Sequence, residues 1–470
     1  MNTQKSVAFH TLGCKLNFAE TSTIARQFER IGFVKTDFEY PADVYVINTC
    51  SVTEEANREC RRIVRGALRN SPEAFVIVTG CYAQLKPEEI ANIKGVDLVI
   101  GASKKFNVID FIKEGQKKEK SEIHSCAIED VETFNSAFSS GDRTRSFLKV
   151  QDGCDYNCSY CTIPMARGVS RSDSIENVVR NAEKLSAEGV KEIILSGVNV
   201  GDFGQKSEVR SQKSEVEQPE NFLQLIKALD KIQAIARFRI SSIEPNLLTD
   251  EMIEFVARSE RFVPHFHIPL QSGSDKILKL MHRRYQRQLY ADRVNKIKSL
   301  MPHCCIGVDV IVGFSGETEE DFLDTFNFID SLGVSYLHVF TYSERDHTEA
   351  IAFKPVVPME ERKKRNRVLR NLSAMKQVNF YAENIGTRRT VLFERENKEG
   401  FMHGFTENYV KVKAKANSEL WNEPIYVQLE RIDADGTMVA DCRLQITDFN
   451  SHNNLLHKES LTGQPATCNL

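Results

Sequence analysis

Three common sequence features are absent from this chain, and each absence excludes a class of protein. The 62 basic and 65 acidic residues leave a formal net charge of −3, so no global excess of positive charge indicates nucleic-acid binding. No apolar run approaches membrane-spanning length, and the N-terminal residues lack the apolar core of a signal peptide. We therefore expect a cytoplasmic protein without membrane contact, in which any RNA contact comes from local patches.

Cysteine, by contrast, is plentiful, with 12 residues in the chain. In an intracellular-looking protein such cysteines indicate metal or redox chemistry rather than a disulfide framework. The length of 470 residues is too great for one ordinary domain, and a hydrophobic fraction of 41% is enough for real cores. We expect two or three domains.

The densest group of cysteines is Cys154, Cys158 and Cys161, with three and then two residues between them. It follows a predicted strand, and the intervening turn residues allow all three sulfurs to point inward at one inorganic centre. Zinc would need a fourth ligand nearby, whereas a 4Fe–4S cluster held by three Cys instead of the usual four keeps one iron open for a reactant. The alternative is three loop cysteines packed as small hydrophobic side chains, which this density disfavours.

Three further cysteines each follow a predicted strand in the N-terminal domain, which we place at 1–120. Short apolar runs alternate there with amphipathic helical patterns, which indicates a parallel, doubly wound α/β sheet. Cys14, Cys50 and Cys81 come after these runs, and the carboxyl ends of parallel strands form the binding crevice of such a sheet. They could converge on a second cluster, with three buried structural thiols as the alternative. Cys60, inside a predicted helix, we interpret as a packing or surface residue.

A central domain is predicted at 144–384, after a polar linker at 121–143 with at most a short strand. Its βα alternation predicts an incomplete (βα)6 barrel, open on one side. The six strand candidates are 147–151, 192–196, 237–242, 264–270, 306–312 and 336–342. Ligand-facing residues should lie at the carboxyl ends of these strands, which indicates Asn199, Glu244, Gln271 and the Gly313-Phe314 turn. Gly197, after the second strand, would let the backbone approach a ligand closely. Each of them could instead be a cap or turn residue.

Two histidines of this domain, His265 and His267, lie on one face of a predicted strand because strand residues alternate. We interpret them as neutral interior or substrate-facing residues, since no nearby Cys or carboxylate pair completes a metal site. Two polar segments have little to bury, and we predict that both are disordered. They are an insertion at 205–220, which contains QKSEV twice, and the tail at 448–470.

The C-terminal domain, at 385–447, shows five short strand patterns, which indicate a small antiparallel β-barrel of the oligonucleotide-binding type. Arg388, Arg389 and Lys411 supply positive charge, while Phe405 and Tyr409 could stack on bases. The alternation of apolar and basic residues in YVKVKAKA, at 409–416, is equally typical of any half-buried strand.

A basic helix is predicted just before this barrel, at 359–384. Between Glu361 and Arg370 it carries six Lys or Arg and a single Glu. A solvated helix face is the usual meaning of such a run, but a bound polyphosphate backbone would use the same charges. We predict that the barrel positions the RNA and that the helix lies beside it.

Three motifs, TLGCKLN at 11–17, GCDYNCSYCTIPMARGVSRS at 153–172 and SGVNVGDFG at 196–204, resemble those of the radical S-adenosylmethionine (SAM) methylthiotransferases of tRNA and ribosomal protein. The resemblance extends from residue 5 to about 443. It implies an N-terminal cluster-binding domain, a central partial barrel and a C-terminal TRAM domain, in the order found above. It also implies an auxiliary 4Fe–4S cluster on Cys14, Cys50 and Cys81 and a SAM-cleaving 4Fe–4S cluster on Cys154, Cys158 and Cys161. The residues that we expect to contact SAM are Tyr160, Gly197, Asn199, Glu244 and Gln271.

Within that family the motifs look most like the branch that acts on N6-threonylcarbamoyladenosine at position 37 of tRNA. The resemblance implies that one SAM methylates a sulfide on the auxiliary cluster and that a second SAM is cleaved to a radical. The radical removes hydrogen from C2 of adenine, which acid/base groups at pH 7 cannot do, and the methylthio group is transferred there. The implied partners are the anticodon loop, a flavodoxin- or ferredoxin-like electron donor and a sulfur donor.

Two other hypotheses stay open. The same chemistry could act on isopentenyladenosine in tRNA or on an aspartate of a ribosomal protein. The chain could also be a non-catalytic iron–sulfur RNA-binding protein that senses redox state and never cleaves SAM. The intact three-cysteine motif argues against a sensor, which has no need of an open iron in a barrel.

Overall fold

A computed structural model describes residues 4–51, 54–112, 117, 120–141, 144–205 and 220–442. The chain divides into two compact units, Met1–Ala374 and Met375–Leu470. The N-terminal and central parts belong to the same unit, and the division falls before the boundary predicted at 384. The exact domain limits remain a prediction. The predicted disordered segments lie outside the described residues, except for Gln205 and Glu220. Every helix in the described ranges is either too short or too polar to span a bilayer.

A six-stranded parallel sheet forms the N-terminal part of the first unit. Its elements are β1 (Ser6–Thr11), α1 (Lys15–Arg30), β2 (Val34–Thr36), β3 (Val44–Thr49), α2 (Glu54–Asn70), β4 (Phe75–Gly80), α3 (Cys81–Leu85), α4 (Pro87–Ala91), β5 (Leu98–Ile100) and β6 (Glu122–His124). The strand order is β2-β1-β3-β4-β5-β6. Strands β3 and β4 are buried along their whole length, because one face packs against α1 and the other against α2. The predicted doubly wound sheet is confirmed.

Cys60 of α2 lies in the core of this sheet and is fully buried. Burial raises the pKa of its thiol to about 12. A neutral, buried thiol packs as a small apolar group, and this agrees with the predicted packing role.

Two short strands lie in the segment predicted as a linker. Strand β6 pairs with β5 and extends the N-terminal sheet, and a strand at Ala137–Phe138 pairs antiparallel with the first barrel strand. Main-chain groups at a sheet edge need hydrogen-bond partners. The two linker segments supply these partners by pairing with the outer strand of each sheet, although the linker as a whole is of ordinary polarity. The linker therefore belongs to both sheets that it connects.

A partial barrel forms the rest of the first unit. Its strands are β7 (Ala137–Phe138), β8 (Arg145–Lys149), β9 (Gln151–Asp152), β10 (Arg171–Ser172), β11 (Glu192–Ser196), β12 (Arg237–Ile240), β13 (His265–His267), β14 (Cys305–Val312) and β15 (Tyr336–Thr341). Its helices are α5 (Ile163–Arg167), α6 (Ile175–Ala187), α7 (Phe222–Leu229), α8 (Asp250–Arg258), α9 (Asp275–Leu280), α10 (Arg287–Leu300), α11 (Glu319–Ser331) and α12 (Met359–Ala382), whose residues from Met375 on belong to the second unit. The six parallel strands that the sequence predicts are present.

The barrel wall consists of two sheets, β12-β11-β8-β7 and β13-β14-β15, while β9 and β10 pair with each other in a separate two-stranded sheet. Isolated bridges from Phe238 to Phe262 and from Ser242 to His267 join the two sheets of the wall. Alternate strand residues, among them Leu148, Ile193 and Val308, pack outward in the main hydrophobic core. Because side chains alternate along a strand, their neighbours face the barrel lumen.

The second unit is a closed five-stranded barrel, described up to Cys442. Its strands are β16 (Arg388–Lys398), β17 (Phe401–Thr406), β18 (Lys411–Lys415), β19 (Pro424–Ile432) and β20 (Met438–Asp441), in the order β16-β17-β18-β20-β19. All pairs are antiparallel except β18 with β20, which is parallel. A closed barrel with an odd number of strands cannot alternate direction all the way round. The predicted small barrel is confirmed, with this one parallel pair.

Candidate active site

Cys154, Cys158 and Cys161 lie on one loop between β9 and β10, and all three are half-buried. The loop closes on itself, since the Cys154 amide donates to the Gly168 carbonyl at 3.0 Å and the Cys161 amide to the Cys158 carbonyl at 3.0 Å. Gly153 permits this closure. Its φ is +73°, and a Cβ there would lie 2.0 Å from the Val169 carbonyl oxygen, so only glycine fits.

Each of these three sulfurs accepts a hydrogen bond from nitrogen. The donors are the amides of Tyr156 and Ile163, at 3.4 and 3.5 Å, and the guanidinium of Arg283, at 3.2 Å. Burial raises the pKa of all three thiols, to about 12 for Cys161, and neighbouring sulfurs raise the pKa of Cys154 and Cys161 further. Three thiolates here need a cation among them, and hydrogen bonds to sulfur are typical of iron–sulfur sites. The loop therefore fits a 4Fe–4S cluster.

Arg283 and Arg284 hold this loop from the end of α9. Arg283 also pairs with the Glu244 carboxylate, and the Arg284 guanidinium lies 4.1 Å from the centre of the Tyr156 ring. The sequence analysis missed both arginines. An Arg-Arg pair directly after a helix was the available signal, because guanidinium groups both pair with carboxylates and stack on aromatic faces.

Among the residues expected to contact SAM, Asn199 has a side chain that is used within the protein. Its Nδ2 donates to Asp202 at 3.1 Å, and its Oδ1 accepts from the Glu244 amide at 3.2 Å. Gly197 lies close to Gln151, whose Oε1 would be 2.8 Å from a Cβ at that position. Both residues therefore bring the ends of β8, β11 and β12 together.

The remaining expected SAM residues lie at other points of the barrel. Tyr160 packs edge-on against Phe314, with ring centres 6.1 Å apart. Gln271 has a φ of +66°, which is unfavourable for a residue with a Cβ and persists only where the surroundings hold it. Its amide donates to the Asp309 carbonyl and its own carbonyl accepts from Ile311.

Cys14, Cys50 and Cys81 follow β1, β3 and β4, three neighbouring strands of the N-terminal sheet. A Cβ at Gly13 would lie 2.7 Å from Cβ of Cys50, so the loop carrying Cys14 touches Cys50. The charge of a Cys14 thiolate also acts on Cys81, whose pKa is raised first by burial. The structure thus brings the three predicted cysteines to one crevice. Their sulfurs range from exposed to buried, as at a site with one open side.

A buried charge bridge, formed by Glu20, Lys105, Lys149, Asp152 and Arg167, joins the two cysteine sites. Glu20 of α1 accepts from Lys105 at 2.6 Å and from Lys149 at 3.0 Å, and Arg167 of the cysteine loop reaches Asp152 at 2.7 Å. Burial alone would raise the pKa of Glu20, but Arg167, Lys105 and Lys149 outweigh it and lower that pKa.

The same Arg167 donates to Asn17 Oδ1 at 2.6 Å. Asn17 in turn donates to the Leu12 and Thr49 carbonyls, at 2.8 and 3.0 Å, and so ties the ends of β1 and β3. The loops after β1 and β3, which carry Cys14 and Cys50, are therefore fixed relative to the loop that carries Cys154, Cys158 and Cys161.

The barrel lumen carries several polar side chains. His267 Nε2 donates to Asp309 at 2.9 Å, while its Nδ1 accepts from Ser242 at 2.7 Å. His265 is buried, and burial lowers its pKa well below the usual value, which agrees with the predicted neutral interior histidine. Lys15, the first residue of α1, faces the same region. Burial, followed by the fields of Arg239 and Arg145, lowers the pKa of Lys15 to about 8.

In the second unit, Phe405 and Tyr409 stack on one another, with ring centres 4.8 Å apart and planes 24° apart. Arg389 pairs with Glu407 at 3.2 Å, whereas Lys411 is exposed. Arg388 opens β16 and pairs across it with Gln428. The predicted RNA contacts thus lie on the first three strands of this barrel and, for Tyr409, in the turn between β17 and β18.

Two of the six basic residues between Glu361 and Arg370 of helix α12 form ion pairs inside the first unit. Arg362 pairs with Glu344, and Arg365 with Glu317 and Glu319, and both guanidiniums are buried. Lys363, Lys364, Arg367 and Arg370 are exposed. Of the six, these four are the ones placed to contribute to a phosphate-binding face.

Two family models match the chain: the radical SAM superfamily at residues 148–329 and the uncharacterized protein family UPF0004 at residues 6–101. The threonylcarbamoyladenosine tRNA methylthiotransferase MtaB of Bacillus subtilis is 39% identical over 436 residues, which are 90% of this chain and 93% of that protein. The chain belongs to the radical SAM tRNA methylthiotransferase family. This family uses SAM and two 4Fe–4S clusters, and it acts on tRNA.

Two further comparisons place this methylthiotransferase among its relatives. The tRNA-2-methylthio-N(6)-dimethylallyladenosine synthase of Clostridium botulinum is 33% identical over 386 residues, 80% of this chain and 84% of that protein. Among solved structures, the radical S-adenosylmethionine methyltransferase TsrM of Kitasatospora setae aligns with a TM-score of 0.52 over 74% of this chain and 77% of that chain. At 14% identity, that likeness shows the fold alone.

Proposed function

We propose that this methylthiotransferase adds a methylthio group to C2 of N6-threonylcarbamoyladenosine at position 37, in the anticodon loop of tRNA. The charge bridge is the observation that carries the proposal, because it fixes two three-cysteine sites against one barrel. A reaction that needs both a radical and a sulfur source requires such a pair. The substrate is inferred from the relatives in Bacillus subtilis and Aquifex aeolicus, which are named for threonylcarbamoyladenosine.

We assign one 4Fe–4S cluster to each set of cysteines. Cys154, Cys158 and Cys161 would hold the cluster that binds SAM, and Cys14, Cys50 and Cys81 would hold the auxiliary cluster. When bound, these groups supply the one-electron cleavage of SAM and a carrier for the sulfur that is transferred.

The chain's own residues hold and orient these groups. The amides of Tyr156 and Ile163 and the guanidinium of Arg283 donate to the three sulfurs, and Glu244 holds Arg283 in place. Hydrogen bonds to cluster sulfurs tune the reduction potential. The SAM site that we propose is lined by Tyr160, Gly197, Glu244 and Gln271. Asn199 positions the Glu244 backbone by accepting a hydrogen bond from its amide.

The RNA contacts are proposed for the second unit. Arg388, Arg389 and Lys411 would contact phosphates, while Phe405 and Tyr409 offer aromatic faces to bases. A cytoplasmic reaction of this kind also requires an electron donor, which we propose is flavodoxin- or ferredoxin-like, and a sulfur donor.

The test is mass spectrometry of nucleosides from tRNA of cells with and without this protein. We expect the loss of 2-methylthio-N6-threonylcarbamoyladenosine and the accumulation of its unmethylthiolated precursor. The wild-type chain and the matched control Cys126→Ala should restore the product, whereas the triple variant Cys14→Ala, Cys50→Ala, Cys81→Ala should not. Restoration by the triple variant would refute the auxiliary-cluster assignment.

Other outcomes of the same measurement identify a different substrate. Loss of 2-methylthio-N6-isopentenyladenosine instead would move the activity to the substrate class named for the Clostridium botulinum relative. An unchanged nucleoside profile would remove tRNA as the substrate and revive the ribosomal-protein or sensor hypothesis.

A further inference from the structure

Lys15 places a positive charge in the barrel lumen, directly beside the auxiliary cysteine Cys14. It is the first residue of α1, and the start of this helix lies against the barrel, since Phe18 packs edge-on against Phe147 of β8 with ring centres 5.6 Å apart. The charged groups that act on its ammonium from the barrel are Arg239, Arg145 and Asp309. Lys15 therefore projects from the N-terminal sheet toward the inner face of the barrel.

The neighbouring charged groups are already engaged with each other. Arg239 and Arg237 donate to Glu192, at 3.0 and 3.4 Å, and Asp309 accepts from His267 at 2.9 Å. For the Lys15 ammonium, by contrast, no hydrogen bond or ion pair is found within the described part of the chain. The half-buried ammonium thus has two guanidiniums and one carboxylate, Asp309, acting on it from the barrel. That carboxylate is already bound to His267, so the ammonium is less well compensated than buried charges normally are.

We infer that Lys15 binds the carboxylate of the substrate's threonylcarbamoyl group and so determines specificity for the modified adenosine. The inference rests on the proposed function. A threonylcarbamoyl substituent on N6 ends in a carboxylate that is ionised at pH 7, whereas a dimethylallyl substituent is apolar and uncharged. Lys15 adjoins Cys14, so an anion bound there lies next to the proposed source of the methylthio group.

The surrounding polar groups suit the rest of such a substituent. Ser242 and Asp309 hold the His267 ring from both nitrogens, and His338 lies beside it, with ring centres 5.6 Å apart. Hydroxyl and amide groups of the substituent would meet fixed hydrogen-bonding partners there. An RNA phosphate is the other anion that could reach Lys15, and the test separates the two sources.

The test compares an RNA anticodon stem-loop carrying N6-threonylcarbamoyladenosine with the same RNA in which the carboxylate is a methyl ester. With the wild-type holoenzyme we expect the ester to be methylthiolated with a kcat/KM about 10- to 100-fold lower, as for loss of a charge-assisted hydrogen bond. Lys15→Met should lower kcat/KM for the acid by a similar factor, and should lower kcat/KM for the ester little further. The variant and the ester each remove the same contact. Lys15→Arg should retain most of the activity on the acid.

Iron content and the visible spectrum of each variant establish that both clusters are present. Wild-type enzyme that treats acid and ester alike would overturn the inference without using any variant. So would a Lys15→Met loss that is equal on acid and ester, which would indicate a phosphate contact or a structural role. If the wild-type enzyme fails to methylthiolate the acid at all, the proposed function fails, and the inference falls with it.

Discussion

Glu192 shows how a single carboxylate stabilises the charged interior of the barrel. It is fully buried between Arg239 and Arg237. Burial alone would raise its pKa, but the charges of Arg239, Arg237 and Arg145 outweigh burial and lower the pKa from 4.5 to about 2. The folded-state pKa is thus depressed. The charged form stabilises the fold above pH 4.5, and this contribution is lost as the pH falls toward 2.

Glu192→Gln keeps the size of the side chain and removes its charge. We expect a loss of about 3–5 kcal/mol in the free energy of unfolding at pH 7, because buried guanidiniums lose their counter-charge. The difference from wild type should shrink by about 1.4 kcal/mol for each pH unit below 4.5, as measured by chemical denaturation. The exposed Glu176→Gln, which loses a surface pair with Arg180, is the control and should change stability by less than about 1 kcal/mol. A pH-independent Glu192→Gln effect would contradict this account.

At the scale of the element, the loop between β1 and α1 depends on Gly13. Its φ is +97°, and a Cβ would lie 2.7 Å from Cys50 Cβ and 2.9 Å from Cys50 Sγ. Gly13→Ala should therefore displace a proposed cluster ligand. We expect the purified variant to lose the iron of the auxiliary site and to keep that of the Cys154 loop, as measured by iron per chain.

Gly32→Ala is the matched control for Gly13→Ala. Gly32 has nearly the same φ, +92°, but no atom lies within 4 Å of its built Cβ. The Gly32→Ala variant carries the penalty for a positive φ at alanine, about 1 kcal/mol, without a steric clash such as the one with Cys50. Full iron content in Gly13→Ala, or equal iron loss in both variants, would show that contact with Cys50 is not what matters.

Helix α12 separates two kinds of basic residue. Arg362 and Arg365 are buried in ion pairs, so Arg362→Gln with Arg365→Gln should lower the melting temperature. Lys363→Gln with Arg367→Gln, on exposed positions, should leave stability within about 0.5 kcal/mol. If the helix contacts RNA, the exposed double variant should have a shallower slope of log affinity for tRNA against log salt concentration. The change should correspond to the loss of about one to two phosphate contacts. A melting temperature that falls for the Lys363 and Arg367 double variant but not for the Arg362 and Arg365 double variant would contradict this assignment.

Elements were more predictable than the contacts between them. Alternation and apolar runs predicted the strands, and the cysteine spacing predicted the Cys154 loop, because both signals are local. The second set of cysteines was predicted only from their positions after parallel strands. In the charge bridge, the partners of Glu20 lie 85 to 147 positions from it, as Lys105 and Arg167 do, and no spacing rule reaches so far. One local signal did exist: Glu20 lies on the apolar stripe of α1, four residues from Leu16 and from Ile24, where an unpaired charge could not be buried.

At the scale of the whole molecule, the closed barrel of the second unit, β16 to β20, can be removed without cutting the sheet or the barrel of the first. We expect a chain truncated after Ile385 to bind both clusters and cleave SAM, but to bind tRNA about tenfold more weakly or worse, with a flatter salt dependence. Filter binding at several salt concentrations measures this. Removal of 448–470 alone is the control and should leave affinity unchanged. Equal affinity of the long truncation and the full chain would refute the RNA-binding role of the barrel.

The charge bridge contains no sulfur atom, and this has a consequence for the lifetime of the enzyme. Its carboxylate, ammonium and guanidinium contacts form without iron, so we expect the loops to stay aligned when no cluster is bound. We also expect a chain without clusters to take them up again from iron and sulfide without refolding. The charge bridge would thus allow one chain to bind its clusters again after losing them.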